Sequence, residues 1–467
     1  MTDAAHDLVI IGSGPGGYVA AIRAGQLGLS VLVVEKDPFL GGTCLHRGCI
    51  PTKAFLHSAD LLQQARDGAR FGVVCTGVAL DLAAVQTHKR RVVTKNAKGI
   101  ESLFKKNKVA WVQGTGRLAG GRTVEVAKAD GSAEKIQAKN VILATGSRCG
   151  DLPFLAADGD RLINSDHALE LTEVPPRLLI LGAGAVGMEF ASVFSRFGSK
   201  VTVIELLDRV LPLEDAEVSA EVAKAFRRQG IAVHVATRVE EASVADGAVR
   251  CKAVTAAGET LTLEADKLLL AVGRQANFKG IGLESTKVEI ERGRIVVDEF
   301  CRTREEGVYA IGDLLPTPWL AHVASMQGVM AAEHIAGKNP PPINYDQVPA
   351  CTYCWPEVGA IGLTEAQARA KGYDVRVGRF PFTASAKAAI LGESAGFVKV
   401  VAEARYDEVL GLHIVGPSAT ELIAEGEAAL RGELTAEELI RTIHAHPTMH
   451  EAIHEAAEGV HGATIHV

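Results

Sequence analysis

The chain has 467 residues, 47% of them hydrophobic and 22% charged, with a formal net charge of −7 at pH 7. Such a length carries several hydrophobic cores, and the acidic balance excludes a dedicated nucleic-acid or polyanion binder, which needs concentrated Lys and Arg. No run approaches the length of apolar residues that spans a membrane. The eight cysteines are too few for a disulfide scaffold, so a reducing compartment with any disulfide transient is expected.

The first residues lack the basic region and long apolar stretch of a secretory signal, which gives a cytoplasmic expectation. Residues 8–11, Leu-Val-Ile-Ile, read as a short buried strand. They lead into Gly12-Ser13-Gly14-Pro15-Gly16-Gly17, an alanine-rich helical stretch, and a second strand at 31–34 that ends at Glu35. Strand, G-x-G-x-x-G, helix, strand and acid is the order of a dinucleotide-binding unit. In that reading Gly12 permits the tight turn, Gly14 lets the backbone approach a pyrophosphate, and Gly17 admits close helix packing. Glu35 would accept hydrogen bonds from a ribose.

Directly after this unit comes Gly41-Gly42-Thr43-Cys44-Leu45-His46-Arg47-Gly48-Cys49-Ile50-Pro51-Thr52-Lys53. Two thiols beside a redox cofactor suggest a dithiol/disulfide relay, the plainer alternatives being a static disulfide or two buried thiols. In a regular helix residues five apart have Cα atoms about 8.6 Å apart, beyond disulfide reach. A Cys44–Cys49 bridge therefore predicts a distorted first turn, with backbone freedom from Gly48 and with Pro51 early in a helix. A helix starting near Cys49 would favour thiolate. Lys53 falls four residues on, on the same helical face.

The pattern recurs at 178–181, Gly182-Ala183-Gly184-Ala185-Val186-Gly187 and 201–204, ending at Glu205, with the same interval from first glycine to acid. A lone glycine fingerprint is weak, whereas two copies with matching strands and acids are strong. Each copy closes with an apolar strand and a glycine turn, at 141–146 and 268–273. Two such folds imply two dinucleotides. Glu205 favours NAD over NADP, since a carboxylate there repels a 2′-phosphate, although Arg209 nearby keeps the alternative in view.

A third apolar strand at 307–312 ends at Asp313, which is a turn cap or a ligand for a ribitol hydroxyl. Pro340-Pro341-Pro342 reads as a linker before a last domain of alternating strands and helices, with 422–430 helical. Near the end, His446-Pro447-Thr448 and Glu451 admit three readings. His446 is a general base held by Glu451, with Pro447 starting a helix between them; or Thr448 and Glu451 form a capping box; or His450-Glu451-Ala452-Ile453-His454 is the H-E-x-x-H of a zinc peptidase. The last needs a third ligand and a cleft, and nothing else in the sequence points to one, so no metal is expected. Cys351 and Cys354 look like half a zinc site but lack a second pair.

On these motifs together, with Ala144-Thr145-Gly146-Ser147 and the ending Gly462-Ala463-Thr464-Ile465-His466-Val467, the chain resembles the flavoprotein pyridine-nucleotide disulfide oxidoreductases over essentially its whole length. Within them it is most similar to the members that oxidise a dihydrolipoyl dithiol with NAD+. The resemblance implies an α/β fold of two Rossmann-like dinucleotide-binding domains, for FAD and NAD, plus a C-terminal α+β dimerisation domain. The implied boundaries are 1–149 for FAD, 150–274 for NAD, 275–343 completing the FAD domain and 344–467 for the interface.

It further implies FAD contacts at Gly12, Gly14, Gly17, Glu35, Lys53, Gly116, Thr145, Gly146, Ser147, Asp313, Leu320, Ala321 and His322. NAD contacts fall at Gly182, Gly184, Gly187, Glu205, Val239 and Gly273, with Glu189 pairing with Lys53 near the flavin. Catalysis is carried by a redox-active Cys44–Cys49 disulfide and by His446 with Glu451, the last domain supplying the base across a homodimer. Lipoyl domains and the acyltransferase core of 2-oxoacid dehydrogenase complexes, or the lipoyl carrier of glycine cleavage, are the implied partners, with no nucleic acid and no membrane. His450 and His454 depart from the family pattern, which has small or basic residues there. The competing enzyme is an NADPH-dependent disulfide reductase, and a competitor of another class is a flavin-binding assembly component.

Overall fold

The computed structural model describes residues 6–467, in two compact units. One comprises the residues up to Ala54, with Ala84–Gly150 and Arg274–Tyr345; the other comprises Phe55–Ala83, Asp151–Gly273 and Asp346–Val467.

In the first unit, β1 (His6–Ile11) pairs in parallel with β2 (Val31–Glu35) and with the strand Ala133–Leu143. The strand Val308–Ala310 joins the far side of Ala133–Leu143, again in parallel. Because helices cover both faces of such a sheet, its strands read as continuous apolar runs rather than alternating ones. Leu8, Val9, Ile10 and Val33 are accordingly sealed from solvent. The helix α1 (Pro15–Gln26) starts straight out of the glycine turn, and its buried face is Gly16, Gly17, Ala20, Ala21 and Ala24. Those small residues let the helix Ala321–Ile335 lie close: a Cβ on Gly328 would stand 2.5 Å from the Gly16 carbonyl oxygen.

The second unit repeats the plan. The strands Arg177–Leu181, Lys200–Ile204 and Lys267–Leu270 are parallel neighbours, and the helix Ala185–Phe197 follows the second glycine turn. The antiparallel strands Thr237–Ala245, Ala248–Thr255 and Thr260–Ala265 precede Lys267. Beyond Asp346 lies a five-stranded antiparallel sheet with Val409–Gly416 between Glu357–Gly362 and Phe397–Glu403. All of Val409–Gly416 is buried, and the helices Ala419–Arg431 and Glu451–Val460 share its core through Leu422, Ile423, Ile453 and Ala456. In the same sheet Lys399 is 2% exposed and bonds to Asp215, Glu217 and Glu365. A buried ammonium is tolerable only with such partners.

Candidate active site

The two glycine turns have the same construction. Gly12 and Gly182 have φ of +104° and +103°, and a Cβ on either would lie 2.3 or 2.4 Å from a carbonyl oxygen of the strand beyond, that of Ala144 or Ala271. Gly17 and Gly187 face the first glycine's own carbonyl, where a Cβ would sit at 2.0 or 1.9 Å. Gly14 and Gly184 face nothing within 4 Å. The crowding is thus internal at the outer glycines, while the middle one presents bare backbone to open space, the cradle that a pyrophosphate requires.

The acids lock these turns. Glu35 accepts the Ser13 N–H and the Ser13 hydroxyl on Oε2, at 2.8 and 2.6 Å, and the Asp37 N–H on Oε1. Glu205 accepts the Ala183 N–H on Oε2 and the Leu207 N–H on Oε1. Both carboxylates are buried. Arg209 is tied to Asp208, its neighbour, at 3.1 Å.

The cysteine segment is docked on the first turn. Gly41, at φ +117°, donates its N–H to the Ser13 hydroxyl at 3.1 Å, and a Cβ on Gly42 would come within 2.6 Å of the Gly14 Cα. From this contact α2 (Gly42–Arg47) carries Cys44, Gly48 interrupts the chain, and α3 (Cys49–Asp67) begins at the second cysteine. The expected single distorted turn is instead a break between two helices, which brings the two sulfurs together. Cys44 hydrogen-bonds Cys49; that bond and burial push the Cys44 thiol well above its ordinary range, with the Lys53 charge opposing them. Cys44 is half-buried and Cys49 exposed.

Beside the fingerprint, Gly116 packs where a Cβ would press on Ile11 and Val34, each at 3.0 Å. Thr145 donates its hydroxyl to the Asn277 carbonyl at 2.6 Å, Gly146 has φ +64°, and Ser147 donates to Asp313. Leu320 precedes the helix Ala321–Ile335, which starts without a side-chain cap, and Ala321 and His322 stand in its first turn. Three residues that sequence reasoning passed over complete this corner. Arg274 donates to the Ser147 hydroxyl at 2.7 Å, Asn277 answers Thr145, and the fully buried Gln327 accepts the Gly312 N–H while donating to Thr317 and Tyr345. Only Gln327 left a signal, a polar residue on an apolar helix.

In the second unit Gly273 has φ +106°, Val239 is half-buried on the strand Thr237–Ala245, and the buried Glu189 accepts the Tyr353 N–H at 3.0 Å.

At the C-terminal end, His446 Nδ1 donates to Glu451 Oε1 at 2.7 Å, leaving Nε2 as the basic nitrogen when the ring is neutral. Burial raises the Glu451 carboxyl, but the bonds from His446 and from the Thr448 N–H prevail and hold it below the ordinary value. Pro447 does not start a helix; the helix starts at Glu451. The capping box is half made, because Thr448 gives its hydroxyl to the Ala445 carbonyl while Glu451 still reaches back to the Thr448 N–H. The H-E-x-x-H side chains turn to three separate partners, His450 to Glu425, Glu451 to His446 and His454 to Glu458. Among the described residues no three or more His, Cys, Asp or Glu side chains are grouped to hold a metal ion.

Residues 6–328 match the pyridine nucleotide-disulphide oxidoreductase family and residues 348–457 its dimerisation domain. The chain belongs to this family, and its dimerisation domain supports a homodimer. It is 46% identical to a dihydrolipoyl dehydrogenase of Bacillus subtilis, over 99% of both chains, and 44% identical to dihydrolipoyl dehydrogenase 3 of Pseudomonas putida, also over 99% of both. Among solved structures it resembles LpdA of Mycobacterium tuberculosis, with a TM-score of 0.89 and 28% identity, over 97% of this chain and 98% of that one.

Proposed function

We propose that the chain oxidises protein-bound dihydrolipoamide to lipoamide and reduces NAD+ to NADH. It is a flavoprotein oxidoreductase whose cofactors are FAD and NAD. The observation that carries the reading is the Cys44–Cys49 pair, set at a helix break and pressed through Gly42 onto the first nucleotide turn.

In this reading residues 1–149 and 275–343 hold FAD, 150–274 hold NAD and 344–467 pair the protomers. A substrate thiolate attacks Cys44 Sγ, the Cys44–Cys49 disulfide breaks, and Cys49 leaves as thiolate. The second substrate thiol then attacks the mixed disulfide, releasing lipoamide with its own S–S bond closed and leaving both cysteines reduced. His446 from the other protomer, held in the right tautomer by Glu451, accepts the first thiol's proton at Nε2, and the second thiol's proton goes to the departing Cys44 sulfur. Bound FAD supplies the acceptor for the electron pair, and NAD+ takes it finally as hydride. Lys53 places charge near that acceptor; Glu35 and Glu205 address the two riboses. The lipoyl domains of 2-oxoacid dehydrogenase complexes, or the lipoyl carrier of glycine cleavage, supply the dithiol in the cytoplasm. No helix among the described residues is long and apolar enough to cross a membrane.

The test is an anaerobic titration of the holoprotein with dihydrolipoamide, followed by NAD+ or NADP+. A long-wavelength band that NAD+ discharges and NADP+ leaves in place is expected. A flavin indifferent to dithiol overturns the reading.

A further inference from the structure

We propose that Glu425 and His450 form a clamp that positions the His446 base, an inference that rests on the reading of His446 given above. The residues from Thr442 to His450 form no helix or strand, so no backbone ladder fixes His446. Its side chain is 73% exposed, and among the described residues its ring donates to Glu451 alone. The segment is instead held from the helix Ala419–Arg431. Glu425 on that helix accepts His444 Nε2–H on one carboxylate oxygen at 2.6 Å and His450 Nδ1–H on the other at 2.7 Å.

One carboxylate therefore grips the chain two residues before His446 and four residues after it. The grip is sheltered, with Glu425 18% and His444 9% exposed, and the two imidazoles are stacked with centroids 6.4 Å apart. Imidazole-to-carboxylate bonds of this length gain strength from any charge on the ring, and shelter from water preserves it. His450 also directly precedes Glu451, so the same clamp fixes where the orienting carboxylate begins its helix. The clamp thus sets both members of the His446–Glu451 pair, while the Glu425 carboxylate is taken up by His444 and His450. Both are positioning residues.

The experiment compares two rates of the FAD-loaded enzyme: NAD+ reduction by dihydrolipoamide, which needs the base, and ferricyanide reduction by NADH, which passes through the flavin without a dithiol. Glu425→Gln keeps the shape but weakens both bonds, and should lower kcat for dihydrolipoamide about tenfold, as small misplacements of a catalytic group do. KM for NAD+ and the ferricyanide rate should stay at wild-type values. His450→Ser, at a half-exposed position, should give the same split at about threefold and serves if Glu425→Gln fails to fold. In a His446→Ala background neither change should lower the residual rate further, because the group they position is gone. Unchanged dihydrolipoamide turnover in the foldable variants, or an undiminished loss in the His446→Ala background, overturns the clamp. A wild-type protein that does not oxidise dihydrolipoamide overturns the reading of His446 on which it rests.

Discussion

The Ala183 N–H donates to one carboxylate oxygen of Glu205 at 2.6 Å, so the acid at the end of one strand is bonded into the glycine turn at the end of another. Its second oxygen takes the Leu207 N–H at 2.8 Å, and Asp208 occupies Arg209. The charge is fixed in place where a ribose would meet it, while the arginine four residues further along the chain is already paired. Glu205→Ala should raise KM for NAD+ roughly tenfold or more, since a hydrogen bond to a charged group contributes about 1.5–3 kcal/mol. Flavin content should be unaffected. An unaltered KM would mean that Glu205 does not touch the ribose.

His446→Ala should retain fold and flavin, because the side chain is largely exposed, and lose dithiol oxidation by about 10²- to 10⁴-fold, the range of a general base. Ferricyanide reduction by NADH should continue. Normal dihydrolipoamide turnover would remove His446 from the mechanism.

Gly14 and Gly17 should fail in different ways. A methyl on Gly14 meets nothing within 4 Å, so Gly14→Ala should fold and yet hold FAD weakly. At Gly17 the methyl would stand 2.0 Å from the Gly12 oxygen, so Gly17→Ala should disrupt the turn itself. Flavin absorbance and circular dichroism of the two purified variants separate these outcomes; a folded, flavin-replete Gly14→Ala would exclude the pyrophosphate from that turn.

Burial, aided by the neighbouring charge of Asp215, pushes the Glu214 carboxyl up to about 7. An acid raised on folding binds more protons in the native state than in the unfolded one between its unfolded value, 4.5, and about 7. Stability should therefore fall as pH rises across that window and level off above it. Glu214→Gln, with no proton to lose, should flatten this part of the profile in urea melts at pH 5 and pH 8. Equal pH slopes in the two proteins would place the effect elsewhere.

The parts of this arrangement that local chemistry dictates were legible in the sequence. The glycine turns and the acid at each strand end stand where the spacing put them because a turn of that shape tolerates few other residues, and buried parallel strands leave an unmistakable apolar run at Leu8 to Ile11. What sequence spacing could not supply were contacts made across the fold. Gln327 holding Gly312, and Arg274 reaching Ser147, depend on strands and helices far apart in the chain. The start of the last helix was misread at Pro447 because Thr448 prefers the Ala445 carbonyl to the capping role its position offered.

Lys399 links two segments that a division by sequence keeps apart. It lies on the strand Phe397–Glu403, whereas Asp215 caps the helix Ala216–Arg228 and Glu217 lies in that helix's first turn. A protein cut before the last domain would lose the ammonium that Asp215, 4% exposed in the whole chain, is paired with. The second nucleotide fold and the C-terminal sheet are therefore poor candidates for modular exchange: grafting either onto a relative must carry both ends of this ion network, or the recipient inherits an orphaned charge.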